Sequence, residues 1–421
     1  MDKTITRSWT PKPCAALLLV IVGGCAGDGE ETMRFVLGDT AVVENLAPVH
    51  GSPGRLEVVT RYGALNDPGP TTLVNVMAVT TGPDGSVYVY DNEEGIKRFD
   101  RGGEFSGWVA REGAGPGEVR YTTSLAVGPN GEVAALDLGN RRVMIIQPTG
   151  HSKGIRMPDG HPRYHEDALQ YEENGVLRVG INPVFTPEGT EPTPRLAYLG
   201  FTPDGAVAGS LFVPGRIWDR CPIRAERRHR VGYWDDEREP FIAKAVWALG
   251  PDGSLAIGCP DRYEFDLQGP DGPDGPDGSV LRVRWSRAER VPLEPEYREY
   301  LAKWAGLTGL PDERPAYARL IVAGDGRVWV WPNQPAETWT PSRDLQARTG
   351  ATVGWRLSTR GAFEVFDEHG RWLGTVPVPN EFAYSGFPTE RPVMIRGDTL
   401  WAITRDSLEV NYVTRFLLRW D

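Results

Sequence analysis

A strand, a Gly-centred tight turn and a second strand recur six times along this chain, and that repeat decides what it can fold into. Five copies carry Asp-Gly or Asn-Gly turns, at Gly85, Gly131, Gly175, Gly253 and Gly326, and the sixth turns at Gly397-Asp398. In the clearest copy, Met77-Ala-Val-Thr-Thr leads into Gly82-Pro-Asp-Gly85 and leaves through Ser86-Val-Tyr-Val-Tyr90. Asp-Gly and Asn-Gly supply the positive φ that two-residue hairpin turns require, so each copy reads as a β-hairpin of defined register. One hairpin cannot bury its own faces, and a series of them at blade-like distances implies a closed ring. The expected fold is all-β: a six-bladed β-propeller of four-stranded antiparallel blades.

Within each blade the strand before the Gly turn is taken as the innermost, a, followed outward by b, c and d. This places blade 1 at 76–109, blade 2 at 124–157, blade 3 at 166–212, blade 4 at 243–286 and blade 5 at 317–376. Blade 6, at 392–419, has only three strands. The alternating segment Arg55-Leu-Glu-Val-Val-Thr-Arg61 has no blade of its own. It is read as the missing outer strand, 55–61, which leaves no open sheet edge between first and last blade.

Repeat spacing locates the excursions. The first two steps between turns are 46 and 44 residues, a compact blade, whereas the later three are 78, 73 and 72. The excess falls at 213–242, 287–316 and 332–362. In an up-and-down blade the d-to-a and b-to-c connections share one rim, so all three insertions belong to the same rim. Loops carried on a rigid scaffold are where binding usually sits. Glu294-Pro-Glu-Tyr-Arg-Glu-Tyr-Leu-Ala-Lys-Trp304, with an early Pro and with Gly306 beyond it, predicts the one substantial helix.

The amino terminus reads as a targeting segment. Lys3, Arg7 and Lys12 precede the apolar run Ala15–Val22, which is too short to span a bilayer. Val22-Gly-Gly-Cys25 resembles a bacterial lipobox, so residues 1–24 are expected to be removed and Cys25 to carry lipid. Several acyl chains on one cysteine give stable anchoring. Residues 25–54 are then lipidated Cys and linker, and 55–421 the propeller. The net charge of −11 argues against nucleic acid as a partner. Cys14 leaves with the signal, so Cys221 and Cys259 remain as a candidate disulfide in an oxidising compartment.

Glu112-Gly-Ala-Gly-Pro-Gly-Glu118, Leu125-Ala-Val-Gly-Pro-Asn-Gly131 and Leu136-Asp-Leu-Gly-Asn-Arg-Arg-Val143 together resemble an NHL-type propeller repeat. The larger pattern resembles bacterial lipoproteins of the six-bladed β-propeller family. Because propellers host binders, scaffolds, lactonases and lyases alike, that resemblance implies a fold more than an activity. In such enzymes His, Asn, Asp or Glu side chains hold a metal in the central channel. Here His151, His161 and His165 cluster, but His50, His229 and His369 scatter, and no metal or cofactor is expected. Asp137, Asn140 and Arg142 match the NHL Asp…Asn-x-Arg pattern and are read as turn-fixing residues.

Asn75, Ser124, Asp167, Lys244, Arg319 and Arg391 stand at comparable depth on or beside the inner strands. They are the candidate polar ring at the channel mouth, for a small polar or anionic ligand or simply for water. Trp218 and Trp234, in the first insertion, are candidate contact residues for a partner. No catalytic residue is assigned. The chain is expected to be a lipid-anchored, extracytoplasmic, monomeric propeller of the bacterial cell envelope. It would bind an envelope protein, peptide or glycan through its insertion-bearing rim. The alternatives are an NHL-like hydrolase or lyase at the channel mouth and a structural ring within an envelope complex.

Overall fold

A computed structural model describes residues 31–64, 69–156, 163–182, 196–212, 217, 220–221, 245–269, 280–305, 310–339, 354–357, 361–382 and 393–421. The chain opens with β1 (Thr32–Leu37), β2 (Thr40–Asn45) and β3 (Arg55–Tyr62). Blade 1 is β4 (Val76–Thr81), β5 (Val87–Asp91), β6 (Gly95–Phe99) and β7 (Phe105–Arg111). Blade 2 is β8 (Thr122–Val127), β9 (Val133–Asp137), β10 (Arg142–Ile146) and β11 (Ser152–Arg156). Blade 3 is β12 (Arg163–Tyr171), β13 (Leu177–Asn182), β14 (Leu196–Phe201) and β15 (Val207–Phe212). Blade 4 is β16 (Val246–Leu249), β17 (Leu255–Gly258), β18 (Glu264–Gln268) and β19 (Val280–Arg284), followed by helix α1 (Pro295–Ala305).

Blade 5 begins with β20 (Tyr317–Val322) and β21 (Val328–Pro332). Its insertion carries the small hairpin β22 (Ala336–Trp339) and β23 (Gly354–Leu357), and the blade resumes as β24 (Ala362–Phe366) and β25 (Trp372–Pro377). Blade 6 is β26 (Val393–Arg396), β27 (Thr399–Arg405) and β28 (Asn411–Arg419). Strand β3 completes it in the order β26-β27-β28-β3. The pairing runs antiparallel from Arg55↔Arg419 to Tyr62↔Val413, and Tyr62 and Phe416 at the seam are fully buried. The chain therefore forms a six-bladed β-propeller closed by its own N-terminal strand.

The ring is held by apolar layers between blades. Inner strand β4 lies beside β8 and β26, β8 beside β12, and β16 beside β20. Tyr198 and Leu211 of blade 3 pack with Trp247 and Ile257 of blade 4. Trp329 and Trp331 of blade 5 pack edge-on to Phe363 and share a buried cluster with Leu400 and Phe416 of blade 6. The a-to-b turns of neighbouring blades meet on one rim: Arg396 Nη2 donates to Thr81 O (2.8 Å), Glu173 N to Pro251 O (3.2 Å) and Arg327 Nη2 to Asp398 (2.7 Å). The d-to-a and b-to-c connections, with all three insertions, therefore share the opposite rim.

The segment read as linker is in part folded. Hairpin β1–β2 docks on blade 4, where β2 runs parallel to β19 and makes a six-stranded sheet. The chain then crosses the outer edge of blade 5, with Val49 N, His50 N and Gly54 N donating to the carbonyls of Trp372, Leu373 and Thr375. His50 stacks on Trp420 at 4.4 Å. Residues 32–62 thus form a belt over the outer edges of blades 4, 5 and 6. Such edges otherwise present unpaired backbone groups to other chains. Asn45, fully buried, ties the belt to two blades: Nδ2 donates to Arg284 O and Gly370 O, and Oδ1 accepts from Trp372 N.

Candidate binding rim

The insertion-bearing rim is built on acidic caps at the ends of the b strands. Asp91, fully buried, accepts hydrogen bonds from Val74 N (2.7 Å) and Asn75 N (3.2 Å) and so fixes the start of β4. Asp137 does the same for blade 2, accepting from Arg120 N (2.8 Å), Asn140 Nδ2 and Arg142 Nε (2.7 Å). Arg142 Nη2 reaches on to the carbonyls of Gly115 and Glu118, and Asn140 Nδ2 to Gly113 O. The motif thus clamps the Gly-rich segment 112–118, the structural role its residue types suggest. Glycine is required at Gly113, where φ is 155° and a Cβ would collide with the Glu118 carboxylate. Lys97, also fully buried, pairs with Glu94 (2.6 Å), donates to Thr72 O and stands 3.8 Å from Asp91.

Four inner strands bulge near this rim. The pairing slips between Val76 and Ala78, Thr122 and Leu125, Tyr164 and Leu169, and Tyr317 and Arg319. Bulges re-aim side chains and cluster at sites. Ser124 and Asp167 fall within two of them, Asn75 immediately precedes β4, and Arg319 is the first paired residue beyond the fourth. Their surroundings differ. Asn75 is exposed, whereas Ser124 is 7% exposed and its Oγ accepts from Leu169 N (3.1 Å), fastening blade 2 to blade 3. Arg319 is buried to 5%. Of the expected polar ring, Asn75 alone is described as a solvent-facing side chain. The Asp167 side chain, Lys244 and Arg391 lie outside the described residues, as do Cys25, Trp218 and Trp234.

Two of the insertions are pinned to the ring. Cys221 and Cys259 are joined, with their Cα atoms 5.6 Å apart, which fastens the first insertion to the end of β17. Arg220 beside them pairs with Glu264 (2.8 Å) and Asp261 (3.2 Å). Burial, the largest influence, pushes the Glu264 carboxyl up, but Arg220, Arg282 and Arg284 together hold it below the usual range. The second insertion is tied to blade 4 by Arg290, whose Nη1 donates to Asp261 O (2.7 Å), and within it Arg314, 1% exposed, pairs with Glu294 (2.7 Å) and lies 5.3 Å from the Tyr297 ring. Helix α1 is thereby seated on a buried cation.

Sequence reasoning missed three exposed apolar side chains on the blade 6–1–2 arc of the same rim. Val74, Tyr121 and Leu408 are 54%, 47% and 68% exposed. They border one hydrogen-bonded framework: Asn411 Nδ2 donates to Val74 O (2.7 Å), Asn92 N to Asn75 O (2.9 Å), and Tyr90 Oη to Asn92 Oδ1 (3.2 Å). Burial pushes the Tyr90 phenol up, partly countered by hydrogen bonds from the backbone of Thr122 and Tyr121, so it remains a donor. An isolated apolar residue in a loop gives no sequence signal; only the ring brings these three to one arc. Among the described residues no group of three or more His, Cys, Asp or Glu gathers to hold a metal ion, and no helix is long and apolar enough to cross a membrane.

No protein-family model matches the chain, and no curated protein does. Solved structures do show similarity. A protein from Bacteroides fragilis described as exported aligns at 12% identity over 90% of this chain and 99% of that one, with a TM-score of 0.48. A virginiamycin B lyase from Staphylococcus aureus aligns at 11% identity over 87% of this chain and 100% of that one, with a TM-score of 0.41. A gluconolactonase from Xanthomonas campestris aligns at 12% identity over 87% and 95%, with a TM-score of 0.39. At these identities and scores none carries a functional argument, and the fold assignment rests on the strand pairing itself.

Proposed function

We propose that this protein is a lipid-anchored, extracytoplasmic propeller that binds a protein, peptide or glycan across its insertion-bearing rim. The observation that carries the reading is the exposed trio Val74, Tyr121 and Leu408. Solvent-facing apolar side chains on a rigid polar framework are what an interaction surface presents. The lipobox-like Val22–Cys25 supports the anchor, and the acidic balance favours partners other than nucleic acid. Two experiments test it. Cys25→Ser is expected to move the protein from the membrane to the soluble fraction; unchanged membrane association would remove the anchor. Val74→Asp combined with Leu408→Asp is expected to abolish capture of envelope material, while Val207→Asp, at the c-to-d end of blade 3, leaves it intact. Equal capture by both variants would remove the rim.

The bulged inner strands favour a second reading, an NHL-like hydrolase or lyase at the channel mouth. Metal analysis separates the two: a stoichiometric divalent ion lost in Asn75→Ala or Asp167→Ala supports the enzyme.

A further inference from the structure

We propose that hairpin β1–β2 is a membrane-contact surface, resting on the bilayer that holds Cys25 and standing the ring on the outer edge of blade 4. The inference rests on the lipid-anchor reading and adds how the anchored ring is oriented. It begins from a distribution. Nine large apolar side chains are exposed among the described residues, and three of them, Met33 (41%), Val36 (61%) and Leu37 (44%), fall on the six residues of β1. Its partner strand β2 is the reverse, with Val42 and Val43 packed inward and only 1% exposed.

Strand β1 is the edge of the six-stranded sheet, two strands beyond β19. The other blades end at their fourth strand, so at about 4.8 Å per strand β1 stands about 10 Å farther from the channel than they reach. Met33, Phe35 and Leu37 share one face of the strand, with Phe35 half-buried, and Val36 stands on the other beside the Gly38-Asp39 turn. Proteins shield a free strand edge with charges, proline or a covering element. Thr32-Met-Arg-Phe-Val-Leu37 holds no proline and one charge, Arg34, and no described strand pairs with its outer edge.

The length of chain before β1 selects the lipid surface as its cover. Cys25 precedes Thr32 by seven residues, so even a fully extended chain holds β1 within about 25 Å of the anchoring point. Exposed apolar side chains held that close to an interface gain by entering it. Asp28, Glu30, Glu31 and, at the turn, Asp39 are acidic, so the attraction is apolar rather than electrostatic. The unpaired outer backbone groups of β1 keep it among the headgroups and out of the hydrocarbon. In a ring of six, blade 1 lies opposite blade 4. Standing on blade 4 therefore turns Val74, Tyr121 and Leu408, on the blade 6–1–2 arc, away from the bilayer and leaves them open to a partner.

The test places an environment-sensitive fluorophore on Val36→Cys or Val74→Cys in the full acylated chain. Each is reconstituted into vesicles of phosphatidylethanolamine and phosphatidylglycerol that carry a lipid spin-labelled near its headgroup. The label at 36 is expected to be quenched at least about threefold more than the label at 74. Met33→Asp with Leu37→Asp, added to the chain labelled at 36, is expected to lower that quenching about threefold with the melting midpoint unchanged. Equal quenching at the two positions, or quenching at 36 undiminished by the aspartates, overturns the inference. Emission at 36 that shifts with protein concentration in the absence of vesicles assigns β1 to a second copy of the chain and overturns the membrane contact. If the label at 36 stays in water while Cys25→Ser still releases the protein to the soluble fraction, the anchor reading stands and the hairpin contact falls.

Discussion

Glu364 lies on β24 with its carboxyl buried, facing the layer between blades 4 and 5 where Phe366 packs on Tyr263 and Phe265. It accepts hydrogen bonds from Trp372 Nε1 (2.8 Å) and Thr375 Oγ1 (2.9 Å). Burial, only partly offset by those two donors, raises its pKa from the ordinary 4.5 to about 7. Between those values the unfolded chain gives up a proton that the folded chain retains. Stability is therefore expected to fall by about 3 kcal/mol as pH rises from 4.5 to 7 and to level off above that. Denaturant melts across this range check it: Glu364→Gln keeps an acceptor for both donors and should flatten the slope. A wild-type slope surviving in the variant would assign the effect elsewhere. The sequence did not reveal Glu364, because its burial depends on aromatic rings contributed by another blade. Asp137, Asn140 and Arg142 were legible because their contacts fall within one repeat and its flanking loop.

The belt and the insertions are the elements that make this ring asymmetric. Asn45 is the belt's main tie, and Asn45→Ala leaves Trp372 N and Gly370 O without their side-chain partner. The expected cost is about 2 to 3 kcal/mol, read from denaturant melts, with a smaller loss on Thr40→Ala, which is only half-buried. The Cys221–Cys259 link spans a sequence separation of 38. In the chain-entropy account it contributes about 4 kcal/mol, so Cys221→Ser with Cys259→Ser should lower the melting midpoint to the same extent as reduction of the wild type. A variant that melts like the oxidised protein would argue that the insertion is held by Arg220 alone. Strand positions and helix α1 were legible to within a few residues, since turn chemistry and apolar alternation are local. The hairpin Thr32–Asn45 was not, because β2 pairs in parallel with a strand some 240 positions later and borrows its regularity from that partner.

At the scale of the whole molecule, stability comes from closure. Each blade is a thin sheet whose two faces are buried only by its neighbours, so one open seam exposes two faces and an edge. A chain beginning at Gly63 loses the belt with β3 and leaves the outer edge of β28 unpaired. It is expected to melt earlier and with lower cooperativity and to aggregate on heating; an unchanged transition would mean that the seam contributes nothing. The sequence by itself determined the number of blades, the strand order within them, the closing strand and the rim that carries the insertions. Each of these follows from turn residues and alternation along a single stretch of chain. Only the tertiary structure decided which polar inner-strand residues are buried, that the N-terminal segment belts three blades, and that Val74, Tyr121 and Leu408 share one rim. Those properties depend on distances between residues of different blades, and neither periodicity nor composition records them.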